Sequence, residues 1–139
     1  MRPCPHKMHF GYGERYPANL RNLTQDGRHH GQDFLTPKGT RIIACVNGVV
    51  NYKGWLRGYG LTLIIKFWVS GKTYRLILAH LSRVTTSKKI GEKVKKTDIV
   101  ALTGDSGMAT GHPHLHLEVQ VLWGGKTWRA VNPGFVTHC

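Results

Sequence analysis

The sequence predicts a mainly β chain: one domain built as a compact antiparallel sheet or barrel-like fold. Three observations carry this reading. Apolar residues recur with period two, turn signals fall about every eight to twelve residues, and no segment shows a convincing helical period. With 139 residues, 40% of them hydrophobic, the chain can fill one core and is too short for two.

The elements follow in order. Residues 1–28 contain Pro3, Pro5, Gly11, Gly13 and Pro17 without a sustained period, and are expected to form an irregular arm packed on a domain spanning 29–139. Residues 41–50, RIIACVNGVV, are rich in β-branched side chains around Asn47-Gly48 and read as strand, turn, strand. From 61 to 69, Leu61, Leu63, Ile65, Phe67 and Val69 alternate with Thr62, Ile64, Lys66 and Trp68. Ser70-Gly71-Lys72 then turns the chain into a second alternating run, where Tyr74, Leu76, Leu78 and His80 share a face by period two. The pair reads as a β-hairpin with His80 at its far end. A short strand is expected around Ile99–Leu102, between Gly91 and Gly104, another at 113–122, and a last one at 127–131.

Composition narrows the function classes. Twenty Lys+Arg against seven Asp+Glu give a net charge of +13, which points to an anionic partner or surroundings. No run of about 18 apolar residues exists, so no transmembrane segment is expected. The N-terminus lacks the apolar stretch of a secretory signal, so the expectation is an intracellular protein, a trimmed one, or one exported by another route. Three widely spaced cysteines, Cys4, Cys45 and Cys139, define no disulfide framework. A basic domain can also bind nucleic acid through phosphates, but no such motif is visible and no specific nucleic acid is expected.

Nine histidines outnumber the acids, and they concentrate in two motifs. The first, His29-His30-Gly31-Gln32-Asp33, holds H-x-x-x-D; the second, within Thr110–Glu118, holds H-x-H at His114 and His116. On a strand, His114, His116 and Glu118 project one way while Leu115, Leu117 and Val119 enter an apolar layer. Two His and one Asp form a plausible catalytic zinc set, in which the metal acidifies water and polarises a carbonyl. His29, Asp33 and one His of the H-x-H pair supply the ligands. The other, with His80, is left for proton transfer or oxyanion stabilisation. Each motif alone has little specificity; a third His ending a strand, in a chain with few acids, strengthens the set.

The order of these motifs resembles the lysostaphin/LytM-type zinc endopeptidases that cut peptidoglycan peptides. The likeness runs from about Phe10 to Phe135, through HHGQDFLTPKGTRIIACVNGVV, LAHLSRV and GEKVKKTDIVALTGDSGMATGHPHLHLEV. It implies an antiparallel sheet forming a substrate groove with one Zn2+ per chain on its floor. It implies His29, Asp33 and His116 as metal ligands and His80 and His114 as catalytic histidines, flanking the activated water and the scissile carbonyl. Ser106 and Thr110 resemble the family's groove-lining loop before H-x-H.

The remaining candidates carry weaker expectations. His30 is expected to be structural or solvent-facing, and His112 to lie at the rim because Pro113 breaks the alternation. Glu118 is a candidate hydrogen-bond partner of a metal-bound imidazole. Cys4, His6, His9, His138 and Cys139 lie at chain ends and make a poor second metal site. Latent members of the family cover the zinc with an N-terminal side chain, for which Asn19, Asn22 or Cys4 are the candidates here. Lys88, Lys89, Lys93, Lys95 and Lys96 form the densest basic run, either a solvated strand edge or a means of attraction to anionic envelope polymers.

The expected function is therefore a monomeric zinc endopeptidase acting on stem peptides or cross-bridges in the bacterial cell wall or periplasm. Its size and charge suit a phage lysin, released through a holin or carried on the virion. The rival is a non-catalytic peptidoglycan-binding or amidase-activating relative.

Overall fold

Period-two segments become strands because alternation lets one face bury while the other stays hydrated. The computed structural model describes residues 1–24 and 26–138. Its strands are β1 (Met8–Phe10), β2 (Gln32–Leu35), β3 (Arg41–Ile43), β4 (Gly48–Leu56), β5 (Gly60–Val69), β6 (Lys72–Val84), β7 (Lys93–Val94), β8 (Ile99–Thr103), β9 (His114–Trp123) and β10 (Thr127–Val131). A single helical turn, α1 (Gly134–Thr137), follows. All pairings are antiparallel, in the order β1-β2-β9-β6-β5-β4-β7, with β10 added to β9 and β8 and β3 added to β6. Among the described residues, no helix is long and apolar enough to cross a membrane.

The β5–β6 hairpin and the strands near 99–102, 113–122 and 127–131 stand where the sequence places them. Residues 1–28 differ from the expectation of an irregular arm. Met8–Phe10 pairs with β2, and Ala18–Leu23 forms a 3-10 helix. Neither is long enough to display a period. The Met1 ammonium also donates to the Val136 carbonyl at 2.7 Å, tying the chain start to α1.

Asn47-Gly48 is not a hairpin turn. β3 pairs with β8, whereas β4 pairs with β5 and β7. Asn47 Oδ1 instead accepts the Lys96 N–H at 2.8 Å, and Gly48 lies so close to the Lys66 carbonyl that a Cβ there would collide with it. The pair serves a close approach between segments.

The core forms from one face of the central strands. Phe34, Leu63, Ile65, Phe67, Leu76, Leu78, Leu115, Leu117 and Val119 cluster with Ile42 of β3 and with Val100 and Ala101 of β8. Each large side chain buried this way contributes about 1.5–3 kcal/mol. Across β9 the opposite face carries His116 and Glu118, opposed by Ala79 and Ile77 of β6.

His80 breaks the alternation. β6 pairs with β9 as far as Ala79 and with β8 from Leu81 onward, and its register against β5 shifts between Leu78 and Leu81. At this handover His80 adopts φ +59°. Strict alternation would bury its imidazole beside Leu76 and Leu78. The bulge turns it instead toward the polar face, as bulges do where a side chain must be re-aimed. His80 therefore does not share the face of Tyr74, Leu76 and Leu78.

Candidate metal centre

Asp33 and His116 sit directly opposite each other on β2 and β9, and His29 enters just before β2. Their facing atoms form a small triangle. His29 Nε2 lies 3.2 Å from His116 Nδ1 and 3.2 Å from Asp33 Oδ1, and His116 Nδ1 lies 3.0 Å from Asp33 Oδ1. A tetrahedral zinc ion with bonds of about 2.0–2.1 Å needs ligand atoms about 3.3 Å apart. The donor set therefore fits such an ion. Among the described residues it is the only group of three or more His, Cys, Asp and Glu gathered closely enough to hold a metal.

Protons on the far nitrogens fix which atoms face the triangle. His29 Nδ1 donates to the Gly11 carbonyl at 3.1 Å, which leaves Nε2 for a ligand. Phe10 stacks on the same ring at 4.3 Å, so the N-terminal segment braces this histidine. His116 Nε2 donates to Glu118 Oε1 at 3.1 Å, which leaves Nδ1 inward. Glu118 is buried and also accepts from the Tyr59 hydroxyl at 2.9 Å and from Gln120 Nε2 at 2.5 Å. Arg75 Nε in turn donates to Gln120 Oε1 at 2.7 Å. The chain from Arg75 to His116 orients the imidazole from outside the triangle.

His80 and His114 line the same cavity of about 390 Å³ as this triangle, with ring centroids 4.8 Å apart. His80 Nδ1 donates to the Ser106 carbonyl and His114 Nδ1 to the His112 carbonyl, each at 2.8 Å. A carbonyl can only accept, so the neutral form of each ring carries its lone pair on Nε2. Burial, together with the nearby His114 and His116 rings, pushes the His80 pKa down to about 4 against the Ser106 hydrogen bond.

The same electrostatics shape the other groups. Burial alone would depress His116, but hydrogen bonds to Asp33 and Glu118 outweigh it and raise the pKa to about 9. Asp33 and Glu118 are held below their usual carboxylate range, because bonds from His116 overcome the cost of burying them. Burial and the Asp33 and Glu118 charges push the Tyr16 hydroxyl up to about 12, and burial with Glu118 raises Tyr59 as well. Both tyrosines remain hydrogen-bond donors.

Around this centre the other candidates scatter. His30 lies at the cavity rim and pairs with Asp26 at 3.0 Å. His112 is exposed and contributes its carbonyl to His114. Ser106 and Thr110 do not line the described cavity. Ser106 Oγ accepts from Leu61 N and donates to the Leu81 carbonyl, while Thr110 bonds the Gly107 carbonyl. Cys4 is buried in the core and does not belong to the metal-holding group, and Asn19 is exposed. His6, His9 and His138 join no such group among the described residues, and Cys139 and the Asn22 side chain lie outside them. Lys88, Lys89, Lys93, Lys95 and Lys96 are exposed on and around edge strand β7, across the sheet order from β1 and β2.

Sequence reasoning missed Phe10, Tyr16, Arg57, Tyr59 and Gln120. Phe10 and Tyr16 on the N-terminal arm and Arg57 and Tyr59 on a turn leave no periodic signal; Gln120 continues the His116–Glu118 face of β9, and alternation could have found it.

Known proteins share this fold. The model of peptidase family M23 matches residues 27–133. The catalytic domain of lysostaphin from Staphylococcus simulans superposes with a TM-score of 0.76 at 27% identity, covering 96% of this chain and 93% of that one. The catalytic domain of the prophage-encoded M23 protein EnpA from Enterococcus faecalis, as an A109H mutant, gives 0.72 at 31% identity, covering 93% and 89%. Among curated proteins, peptidoglycan DD-endopeptidase ShyA of Vibrio cholerae is 36% identical over 106 residues, 76% of this chain and 23% of that protein. Murein hydrolase activator EnvC of Escherichia coli is 29% identical over 122 residues, 88% of this chain and 25% of that protein. The chain spans 20% to 25% of the length of the curated relatives it matches. With a mainly antiparallel β fold like that of the lysostaphin domain and a family match over most of its length, this chain belongs to peptidase family M23.

Proposed function

We propose that this chain is a zinc-dependent endopeptidase that hydrolyses peptide bonds in the stem peptides or cross-bridges of bacterial peptidoglycan. The observation that carries the reading is the triangle of His29, Asp33 and His116 donor atoms, 3.0–3.2 Å apart, with two further imidazoles in the same cavity. His29, Asp33 and His116 would hold one zinc ion. Bound there, zinc supplies Lewis-acid polarisation of a carbonyl and makes water acidic enough to act as nucleophile near neutral pH.

The chain's own residues do the rest. His80 and His114 flank the reacting carbonyl and present Nε2 lone pairs to the cavity. One takes a proton from the attacking water as its oxygen bonds to the carbonyl carbon. The protonated ring then stabilises the developing oxyanion or returns the proton to the departing amine as the C–N bond breaks. Burial keeps His80 neutral at ordinary pH, with its Nε2 lone pair free. Glu118, with Tyr59 and Gln120, keeps His116 aimed.

The likeness to a prophage-encoded relative supports a role as a phage lysin, and the basic surface supports attraction to anionic envelope polymers. The likeness to EnvC favours a second reading, a non-catalytic wall-binding or activating protein. Two substitutions separate them. His116→Ala is expected to lose both metal and activity, whereas His114→Ala keeps metal and loses most turnover. Metal content and release of new amino termini from purified walls report the two effects. A wild-type chain that binds walls with metal in place and releases no amino termini supports the second reading.

A further inference from the structure

The turn between β4 and β5 places Arg57 at the mouth of the metal cavity. This turn is held in position: the Gly58 carbonyl accepts the Met108 N–H at 3.0 Å, and the Tyr59 carbonyl accepts the His80 N–H at 2.8 Å. Arg57 is exposed, and among the described lining residues it is the only Arg or Lys. The cavity's two acids, Asp33 and Glu118, are both hydrogen-bonded to His116. All seven carboxylate side chains of the protein are engaged by other groups, and no described acid forms an ion pair with Arg57. Among the described residues, the guanidinium thus stands at the cavity mouth without an anionic partner.

We propose that Arg57 is a specificity-determining residue that takes a free carboxylate on the substrate beside the scissile bond. The preferred substrate is then an acidic stem peptide rather than a neutral glycine bridge. This rests on the endopeptidase reading above and adds to it the chemical class of the peptide. A planar guanidinium matches a carboxylate with two parallel N–H···O bonds, and a carboxamide at the same place offers one acceptor and no charge. The charge part of the preference weakens with salt because Arg57 is exposed.

The test uses the zinc-loaded chain and pairs of synthetic stem peptides that differ only in a free or amidated carboxylate next to the scissile bond. The wild type is expected to favour the acid by roughly tenfold in kcat/KM, the discrimination expected of one charge-assisted contact. That ratio should shrink at high salt, fall close to one in Arg57→Gln, and be partly kept in Arg57→Lys. Binding of the same peptides to zinc-loaded His114→Ala, with and without Arg57→Gln, reads the contact without turnover. Equal treatment of acid and amide by the wild type, or an unchanged ratio in Arg57→Gln, overturns the role of Arg57. If neither peptide nor wall is cleaved, the endopeptidase reading fails, and the binding ratio alone then supports or overturns the carboxylate contact.

Discussion

Three lone pairs aimed at one point repel one another unless a positive charge sits among them. In the metal-free protein that charge is a proton on His116, held by Asp33 and Glu118 up to about pH 9 against an ordinary value of 6.5. A raised pKa in the folded state contributes stability that is full below about 6.5 and is lost as pH rises through 9. His80 works in the opposite sense. Burial lowers its pKa from 6.5 to about 4, so its contribution is full above 6.5 and is lost as pH falls toward 4. The metal-free protein is therefore expected to be most stable near pH 6.5, with the alkaline loss removed by zinc. Urea midpoints across pH, with and without zinc, check this. A midpoint of metal-free protein that rises steadily from pH 6.5 to 9.5 would contradict the His116 assignment.

At the level of elements, the centre depends on where strands exchange partners. β6 leaves β9 for β8 at His80, and the β4–β5 turn and the loop around Ser106 close over that point. Gly60, at φ +72°, has no room for a side chain: a Cβ would lie 2.5 Å from the Ser106 carbonyl carbon and 2.6 Å from Gly107 N. Gly60→Ala is expected to cost about 2 kcal/mol or more in stability, and to lower kcat while zinc remains bound. Thermal melts, metal content and turnover of the variant report these effects separately. Unchanged kcat with a lowered melting point would show that this junction does not position His80. The sheet itself was legible in the sequence, since alternation over residues 61–69 and 113–122 needs only local chemistry. The shared polar face of His114 and His116 was legible from alternation, whereas their company with His29 and Asp33 was implied only by the family resemblance, because nothing local in the sequence shows that β2 pairs with β9. His80 was legible as a residue but not in its direction, because a bulge is set by pairing with three neighbouring strands. The β3–β4 connection misled because Asn47-Gly48 is also what a close approach between distant segments requires. Arg57 and Tyr59 gave no signal, being single side chains on a turn whose position depends on the far loop.

The whole molecule carries a charge of +13, and its densest basic run lies on and beside an edge strand, away from the strands that bring His29 and Asp33. Lysine there blocks edge pairing whatever else it does. Long-range attraction to a polyanionic wall adds to this and is screened within about 10 Å at 0.1 M salt and about 3 Å at 1 M. Hydrolysis of whole walls is thus expected to slow several-fold from low to high salt, with a smaller change for a short neutral peptide. Initial rates on both substrates across a salt series measure the difference; equal slopes would remove any role for the charge. In the proposed function, one metal at His29, Asp33 and His116 makes this chain an endopeptidase. The most direct measurement is the release of new amino termini from purified peptidoglycan by metal-stripped protein titrated with zinc. Release absent at the start and rising to a plateau at one zinc per chain is the expected result. Release before any zinc is added, or none once one zinc is bound, contradicts it.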